Sequence, residues 1–350
     1  MVNKKIFITC PAYHTTGGFE LLHQLVYKLN KIEQNCAVIY YHNFDSKRKE
    51  HPTPEIYMKY TKGKYVSKID DDSRNVLILP EVYTDYIQRY RNLKFVVWWL
   101  SVDYFFISID NINKGKKLNY KDFKKGKKFQ LYRILNWINI KPDNKFNPFT
   151  RKILFNDRIL VHAFQSNYAG EFLDKNKLIP KLPLSDFLNS TFFNNQISIH
   201  NRENVILYNP NKGIEVTSVL IELLPEFRWI ALQNYTPFEM RNLMLNSKVY
   251  IDFGNHPGKD RIPREAALNG CVVITNKEGS AKYFSDVSID DKYKFENPIE
   301  EVNKLKGFIE NIFSEFTYHY NNFNDYRDKI KDEEKMFDSE LEVFYDFLMK

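Results

Sequence analysis

Apolar runs of strand length alternate with stretches that repeat apolar residues at helical spacing along most of this 350-residue chain. That alternation predicts parallel sheets covered by helices on both faces. In the first half, strands are predicted at Lys5–Thr9, Ala37–Tyr41, Val76–Leu79, Phe95–Trp99 and Ile159–Phe164, with a helix over Phe19–Lys31. A second series follows the loop 183–204. Its strands are predicted at Val205–Tyr208, Arg228–Ala231, Val249–Phe253 and Val272–Thr275, and its helices near Glu215–Leu224, Pro237–Asn246 and Ile262–Leu268. The fold class is therefore α/β, built as two similar open-sheet domains facing across a cleft. The boundaries are placed at 1–190, with an insertion at 110–145, and at 200–325; residues 326–350 form a charged helix expected to pack back on the first domain.

Ligands of open parallel sheets lie beyond the carboxyl ends of the strands. The densest chemistry at such a place is DFGNHPGKDRIPREAALNGCVVIT, from Asp252 to Thr275. Its loop carries His256, Lys259, Asp260 and Arg261 to a strand end, and Pro263 sits in the first turn of the helix that follows. Free N–H groups and the positive end of the helix dipole favour phosphate there. Pro263 costs nothing where an N–H has no intrahelical partner, and Gly270 closes the helix. The plainer alternative is an ordinary βαβ unit with a solvated loop.

Three more loops bear on the site. CPAYHTTGGFELLHQL places Gly17 and Gly18 where a loop becomes a helix; adjacent glycines permit positive φ and close approach of backbone to a diphosphate or sugar. A simple tight turn reads the same, and neither GxGxxG nor the P-loop pattern is present. In YNPNKGIEVTSVLI, Lys212 stands before Gly213 and a helix, where a mobile ammonium could reach phosphate; a plain surface lysine reads the same in isolation. NKEGSAKYF supplies a turn at Gly279 and Ser280. With Lys259, Arg261 and Arg264, three loops of one domain would offer cations and N–H groups to a common point.

Charge changes the picture in one segment. The chain carries +7, yet residues 114–133, KGKKLNYKDFKKGKKFQLYR, hold nine Lys or Arg against the single acid Asp122, so the remainder is close to neutral. Interleaved Leu118, Tyr120, Phe123, Phe129, Leu131 and Tyr132 make the segment amphipathic, as suits an anionic bilayer or a lipid-linked substrate. A solvated insertion and nucleic acid are the alternatives, and nucleic acid is not the partner expected. MVNKKIFITC lacks the apolar core of a signal peptide, and no apolar stretch reaches membrane-spanning length. Cys10, Cys36 and Cys271 are too far apart for a metal-ligand pattern, and one must be unpaired. The expected location is cytoplasmic, peripheral on the inner face of the membrane.

NPNKG, the junction from Asp252 to Thr275 and the EGSA turn together resemble the nucleotide-binding domain of GT-B glycosyltransferases, most nearly the family-4 type. TTGGFELLHQL resembles the glycine loop and first helix of their acceptor-side domain, and WWLSVDYF and VHAFQSNYAGEFLDKN resemble bacterial transferases that build surface polysaccharide such as O-antigen, capsule or lipopolysaccharide. The resemblance implies two Rossmann-like domains, acceptor-side first and nucleotide-sugar-binding second. It implies that Lys212 meets the donor diphosphate, that Glu265 is the second glutamate of an E-x7-E motif and holds the ribose, that Gly279 and Ser280 lie near the donor phosphates, and that Gly17 and Gly18 form the acceptor-side loop. Two departures stand out. Pro257 occupies the place of the first motif glutamate, and Tyr208 and Asn209 occupy the region of the usual arginine. Lys259, Arg261 or Arg264 are the candidates to replace that charge.

The reaction so implied moves a sugar from a nucleotide-sugar donor to a hydroxyl of a glycan acceptor, lipid-linked in the expected case. Charge gathers on the departing diphosphate, and fixed cations and helix N-termini meet it without a metal or other cofactor. Asp70, Asp71 and Asp72 read as a solvated turn. Asp103 is the candidate base or, equally, a helix cap; His256 contacts sugar or leaving group, or is a loop histidine. His162, in an apolar strand, reads as core. A nucleotide-sugar epimerase of related fold and an inactive GT-B scaffold that partners another transferase at the membrane are the competing functions.

Overall fold

The computed structural model describes residues 4–113, 148–193 and 197–350. The basic segment 114–133, and with it most of the insertion, lies outside them. The chain divides into two compact units: Met1–Phe164, Ala169–Leu184 and Leu341–Lys350 in one, Gln165–Tyr168 and Ser185–Glu340 in the other.

The first unit is built on a seven-stranded parallel sheet. Its strands are β1 (Ile6–Cys10), β2 (Ala37–Tyr41), β3 (Tyr65–Val66), β4 (Val76–Pro80), β5 (Lys94–Trp99), β6 (Ile159–Phe164) and β7 (Lys181–Pro183), in the spatial order β3-β2-β1-β4-β5-β6-β7. β1 and β4 are buried along their whole length, as strands covered on both faces must be. The helix α1 (Gly17–Ile32) follows β1, with Thr16 as its cap accepting from the Phe19 amide. The helix α2 (Val102–Asn113) follows β5. Trp98 and Trp99 are wholly buried. The indole of Trp98 donates to the Leu184 carbonyl at 2.9 Å, and that of Trp99 to His162 Nδ1 at 3.1 Å. Burial pushes the His162 pKa down to about 4, so this ring is a neutral core acceptor, in line with its sequence context.

The second unit carries a five-stranded parallel sheet, β8 (Glu203–Tyr208), β9 (Arg228–Ala231), β10 (Ser247–Asp252), β11 (Val272–Asn276) and β12 (Lys294–Phe295), ordered β12-β11-β10-β8-β9. Register is fixed at the centre, where Val249 lies opposite Val272 on one side and Ile206 on the other. Its helices include α3 (Ile214–Leu223), α4 (Pro237–Asn246), α5 (Arg261–Leu268), α6 (Val302–Ser314) and, as far as Glu340, α7 (Asn324–Met349). Thr236 and Glu239 form a reciprocal capping box at the start of α4. Among the described residues no carboxylate pairs with the buried Arg202: its guanidinium donates to the carbonyls of Ser198, Met244, Ser247 and Asn269 at 2.7–2.9 Å. It thereby satisfies carbonyls at the ends of α4 and α5, where the helix dipole favours a cation. Gly270, at φ +93°, must be glycine, because a Cβ there would lie 2.2 Å from Arg202 Nη2.

In each sheet the chain leaves the middle in one direction and then returns to build the other side. The reversal lies between β1 and β4 in the first unit and between β8 and β10 in the second. Crevices open beyond the carboxyl ends of strands at such reversals. Gly17 and Gly18 follow β1 at one of them; Lys212 and the loop 253–260 follow β8 and β10 at the other.

Candidate functional site in the second unit

Three loops meet beyond the carboxyl ends of β8, β10 and β11, and each touches its neighbour through a glycine. A Cβ on Gly213, at φ +67°, would fall 2.5 Å from the Gly254 nitrogen, and one on Gly254 would fall 2.4 Å from Lys212 Cγ. A Cβ on Gly279, at φ +51°, would fall 2.0 Å from the His256 carbonyl oxygen. Backbone meets backbone here, so no side chain keeps the loops apart. Polar bonds lock the approach. The Ser280 amide donates to His256 O at 2.8 Å, its hydroxyl to Gly258 O at 2.7 Å, and Asn276 Nδ2 to Gly254 O at 2.8 Å.

At this junction Asp260 accepts from two partners at once. Lys212 Nζ and His256 Nδ1 share its Oδ2, the latter at 2.8 Å. A carboxylate only accepts, so Nδ1 of His256 carries a proton. The other ring nitrogen faces Asp252, 3.3 Å from its carbonyl and 3.9 Å from Oδ1. Asp252 is itself engaged, its two oxygens accepting from the Gly254 amide and the Tyr250 hydroxyl at 3.1 Å each. Burial opposes the Asp260 charge, but Lys212 and His256 outweigh it and hold its pKa down at about 2. His256 is wholly buried, whereas the Lys212 and Asp260 side chains keep 20% and 27% of their surface open. Among the described residues, Asp252, His256 and Asp260 also place one ligand atom each within 4.8 Å of one another. Those atoms are already aimed at internal partners, and a metal ion would have to displace both the Lys212 ammonium and the His256 proton.

The remaining cations of the junction fall into a different group. Arg264 is 1% exposed and turns into the unit, where Asp186 Oδ2 and Glu333 Oε2 meet its guanidinium at 2.5 and 2.7 Å. Lys259 Nζ lies 2.7 Å from Glu333 Oε1 and 3.9 Å from Asp186 Oδ1. Two cations and two carboxylates thus neutralise one another beneath α5. Burial works against the Arg264 charge, and Asp186 and Glu333 more than restore it, so its pKa is pushed up. For Asp186 burial is likewise outweighed, by Arg264 and Lys259, and its pKa is held down. Arg264 also donates to the carbonyls of Asp260, at 3.0 Å, and Lys259, at 3.3 Å, which fixes the approach to α5. Arg261 donates to the Phe187 carbonyl at 3.3 Å.

Of the residues singled out in sequence, then, Lys212, His256, Gly279 and Ser280 are brought together. Ser280 contributes as a brace between loops, with its hydroxyl and amide turned to the neighbouring loop and no surface exposed. The charges of Lys259 and Arg264 are spent inside the unit, so the expected cluster of four cations is divided. Glu265 is the fifth of the eight residues of α5 and is 7% exposed; Pro257 is buried. In the first unit Gly17 and Gly18 open α1, and neither has a positive φ. What Gly18 supplies is room: nothing lies within 4 Å of where its Cβ would be. Asp103 is 6% exposed in the first turn of α2, and the hydroxyl of Ser101 accepts from the Tyr104 amide there, so Ser101 is the capping side chain. Sequence reasoning missed Asp260 as the centre of the cluster and missed Asp186 and Glu333 altogether. Glu81 was also missed: it is buried at the end of β4, accepts from the Leu100 amide at 2.9 Å, and burial pushes its pKa up to about 8.

No protein-family model matches the chain, and no curated protein does. Solved structures do. Sucrose-phosphate synthase from Thermosynechococcus elongatus superposes with a TM-score of 0.64 over 99% of both chains, at 10% identity. The fold is GT-B. WaaG, a glycosyltransferase involved in lipopolysaccharide biosynthesis, gives a TM-score of 0.53 and 12% identity over 95% of this chain and 98% of its own. TarM gives 0.53 and 13% over 81% of this chain and 56% of its own. In GT-B terms the reversal between β8 and β10 lies in the second of the fold's two sheets. Among the described residues no helix is long and apolar enough to cross a membrane.

The buried pair beneath α5 has a measurable signature. Replacing Asp186 by Asn leaves the Arg264 charge buried with one partner fewer and should lower the unfolding free energy by about 3–5 kcal/mol near neutral pH. Because the Asp186 pKa is depressed in the folded state, its contribution is complete above the unfolded value of about 4 and is lost as pH falls. Denaturant unfolding at neutral and acid pH should therefore show the gap between wild type and Asp186→Asn closing on the acid side; a gap that stays constant contradicts the assignment.

Proposed function

We propose that this chain is a glycosyltransferase that takes its donor, a sugar carried on a nucleoside diphosphate, at the junction of β8, β10 and β11. One observation carries the reading: three glycine-bearing loops converge at a strand reversal around a partly exposed lysine, Lys212. In this reading Lys212 meets the diphosphate, and the backbone N–H groups at the start of α5 face the same charge. Departure of the diphosphate is then stabilised by fixed cations and dipoles, with no metal required. Glu265 is assigned to the ribose, and Gly279 and Ser280 to shaping the phosphate end of the site. Gly17 and Gly18, at the open start of α1, are assigned to the acceptor, with Asp103 as the base. The GT-B likeness supports transfer as the reaction class, and a TarM variant structure in complex with Fondaparinux, alpha-GlcNAc-glycerol and UDP supports a nucleotide on one side and a glycosylated alcohol on the other.

The acceptor we favour is a lipid-linked glycan of bacterial surface polysaccharide, handled at the cytoplasmic face of the membrane. The composition of residues 114–133 and the resemblance to WaaG support that choice. The full chain should then bind vesicles containing anionic lipid, weakening as salt shortens the screening length. Unchanged binding after deletion of 114–133 would remove the membrane assignment.

The donor site is tested by thermal shift with a panel of nucleoside diphosphates and their sugars. One base should stabilise the protein, and Lys212→Ala should weaken that ligand by about 10- to 100-fold, the worth of a charged hydrogen bond. If no nucleotide stabilises the wild type, or Lys212→Ala leaves the affinity unchanged, the reading fails.

A further inference from the structure

We propose that Asp260 is the built-in counter-ion of the anion site: it holds the Lys212 ammonium in place and yields it when a diphosphate arrives, keeping His256 as its remaining partner. The inference rests on Lys212 being the diphosphate lysine.

Four observations lead there. Asp260 Oδ2 accepts from both Lys212 Nζ and His256 Nδ1, so losing one donor does not leave the carboxylate bare. The two bonds differ in access, because His256 is wholly buried while Lys212 and Asp260 are both partly open. A solute can therefore compete for Lys212 and not for His256. Asp260 is the residue before α5, yet its side chain makes no capping bond to the helix. Acids are favoured at that position for such a bond, and here the carboxylate is directed across to the β8 loop instead. Finally, its backbone is clamped by Arg264, whose Nε donates to the Asp260 carbonyl at 3.0 Å. The carboxylate cannot retreat far, so it stays near the lysine after exchange. Asp252 also faces the pair, through His256.

An internal carboxylate on Lys212 has a definite consequence. Any diphosphate must displace it, so the resting site is weakened for anions in general and free phosphate is excluded more readily than a ligand with further contacts. Replacing Asp260 by Asn removes the competing charge, keeps the shape and retains a good helix-capping residue.

The test is calorimetric titration of inorganic pyrophosphate into the full chain. Asp260→Asn should bind it about ten-fold more tightly than wild type. The gain should disappear when Lys212→Ala is added, since it arises through that ammonium. Asp260→Ser, another capping residue, should behave as Asp260→Asn does, which covers failure of either variant to fold. Equal or weaker binding by a folded Asp260 variant overturns the proposal, as does absence of binding in every protein. A gain that persists with Lys212→Ala also overturns it, because simple repulsion would then suffice. Pyrophosphate has neither base nor sugar, so if it behaves as stated while no nucleotide sugar binds, the transferase reading fails and the counter-ion stands.

Discussion

Arg264 takes a full positive charge into a place with almost no water, and Asp186 and Glu333 hold it there. A charge so placed is costly unless paired and hydrogen-bonded. Its geometry then dictates much around it. The same guanidinium donates to the carbonyls of Lys259 and Asp260, so the start of α5 is fixed from below. Once Asp260 is fixed, its carboxylate meets Lys212 and His256, and the loop after β10 is tied to the loop after β8. Gly213, Gly254 and Gly279 permit that meeting, because a Cβ at any of them would strike a neighbouring loop. The charge below and the absent side chains above act together: one sets where the loops sit, the other lets them touch.

This arrangement separates two tasks for cations in one short stretch. Lys259 and Arg264 stabilise the unit, with their charge cancelled by acids brought from before β8 and from α7. Lys212, from another loop, stays near the surface with a single carboxylate between it and the buried histidine. In the proposed reading, its donor is already positioned before an anion arrives, and exchange of the Asp260 carboxylate is what the anion must bring about.

Much of this was legible in the sequence, and the failures have physical reasons. The long strands follow from apolar runs and were placed within a residue or two; β3, β7 and β12, of two or three residues each, carry no periodicity to read. The meeting of three loops was foreseen from Lys212–Gly213, the Asp252–Thr275 junction and Gly279. The partners of Arg264 were not, because Asp186 and Glu333 lie 78 and 69 residues away in the chain. Grouping four cations by proximity in sequence gave them one role, whereas the direction of each side chain gives them two. Positive φ was the wrong reason for Gly17 and Gly18, whose contribution is the space beside Gly18 at the start of α1.

The central claim is that one nucleoside diphosphate is held where the three loops of the second unit meet. Backbone hydrogen exchange of the full chain, with and without the nucleotide that stabilises it, tests this directly. The account predicts slowed exchange in residues 209–214, 254–262 and 278–282, stronger than elsewhere in that unit. Unchanged exchange in all three segments, with protection appearing in other parts of the unit, would contradict it.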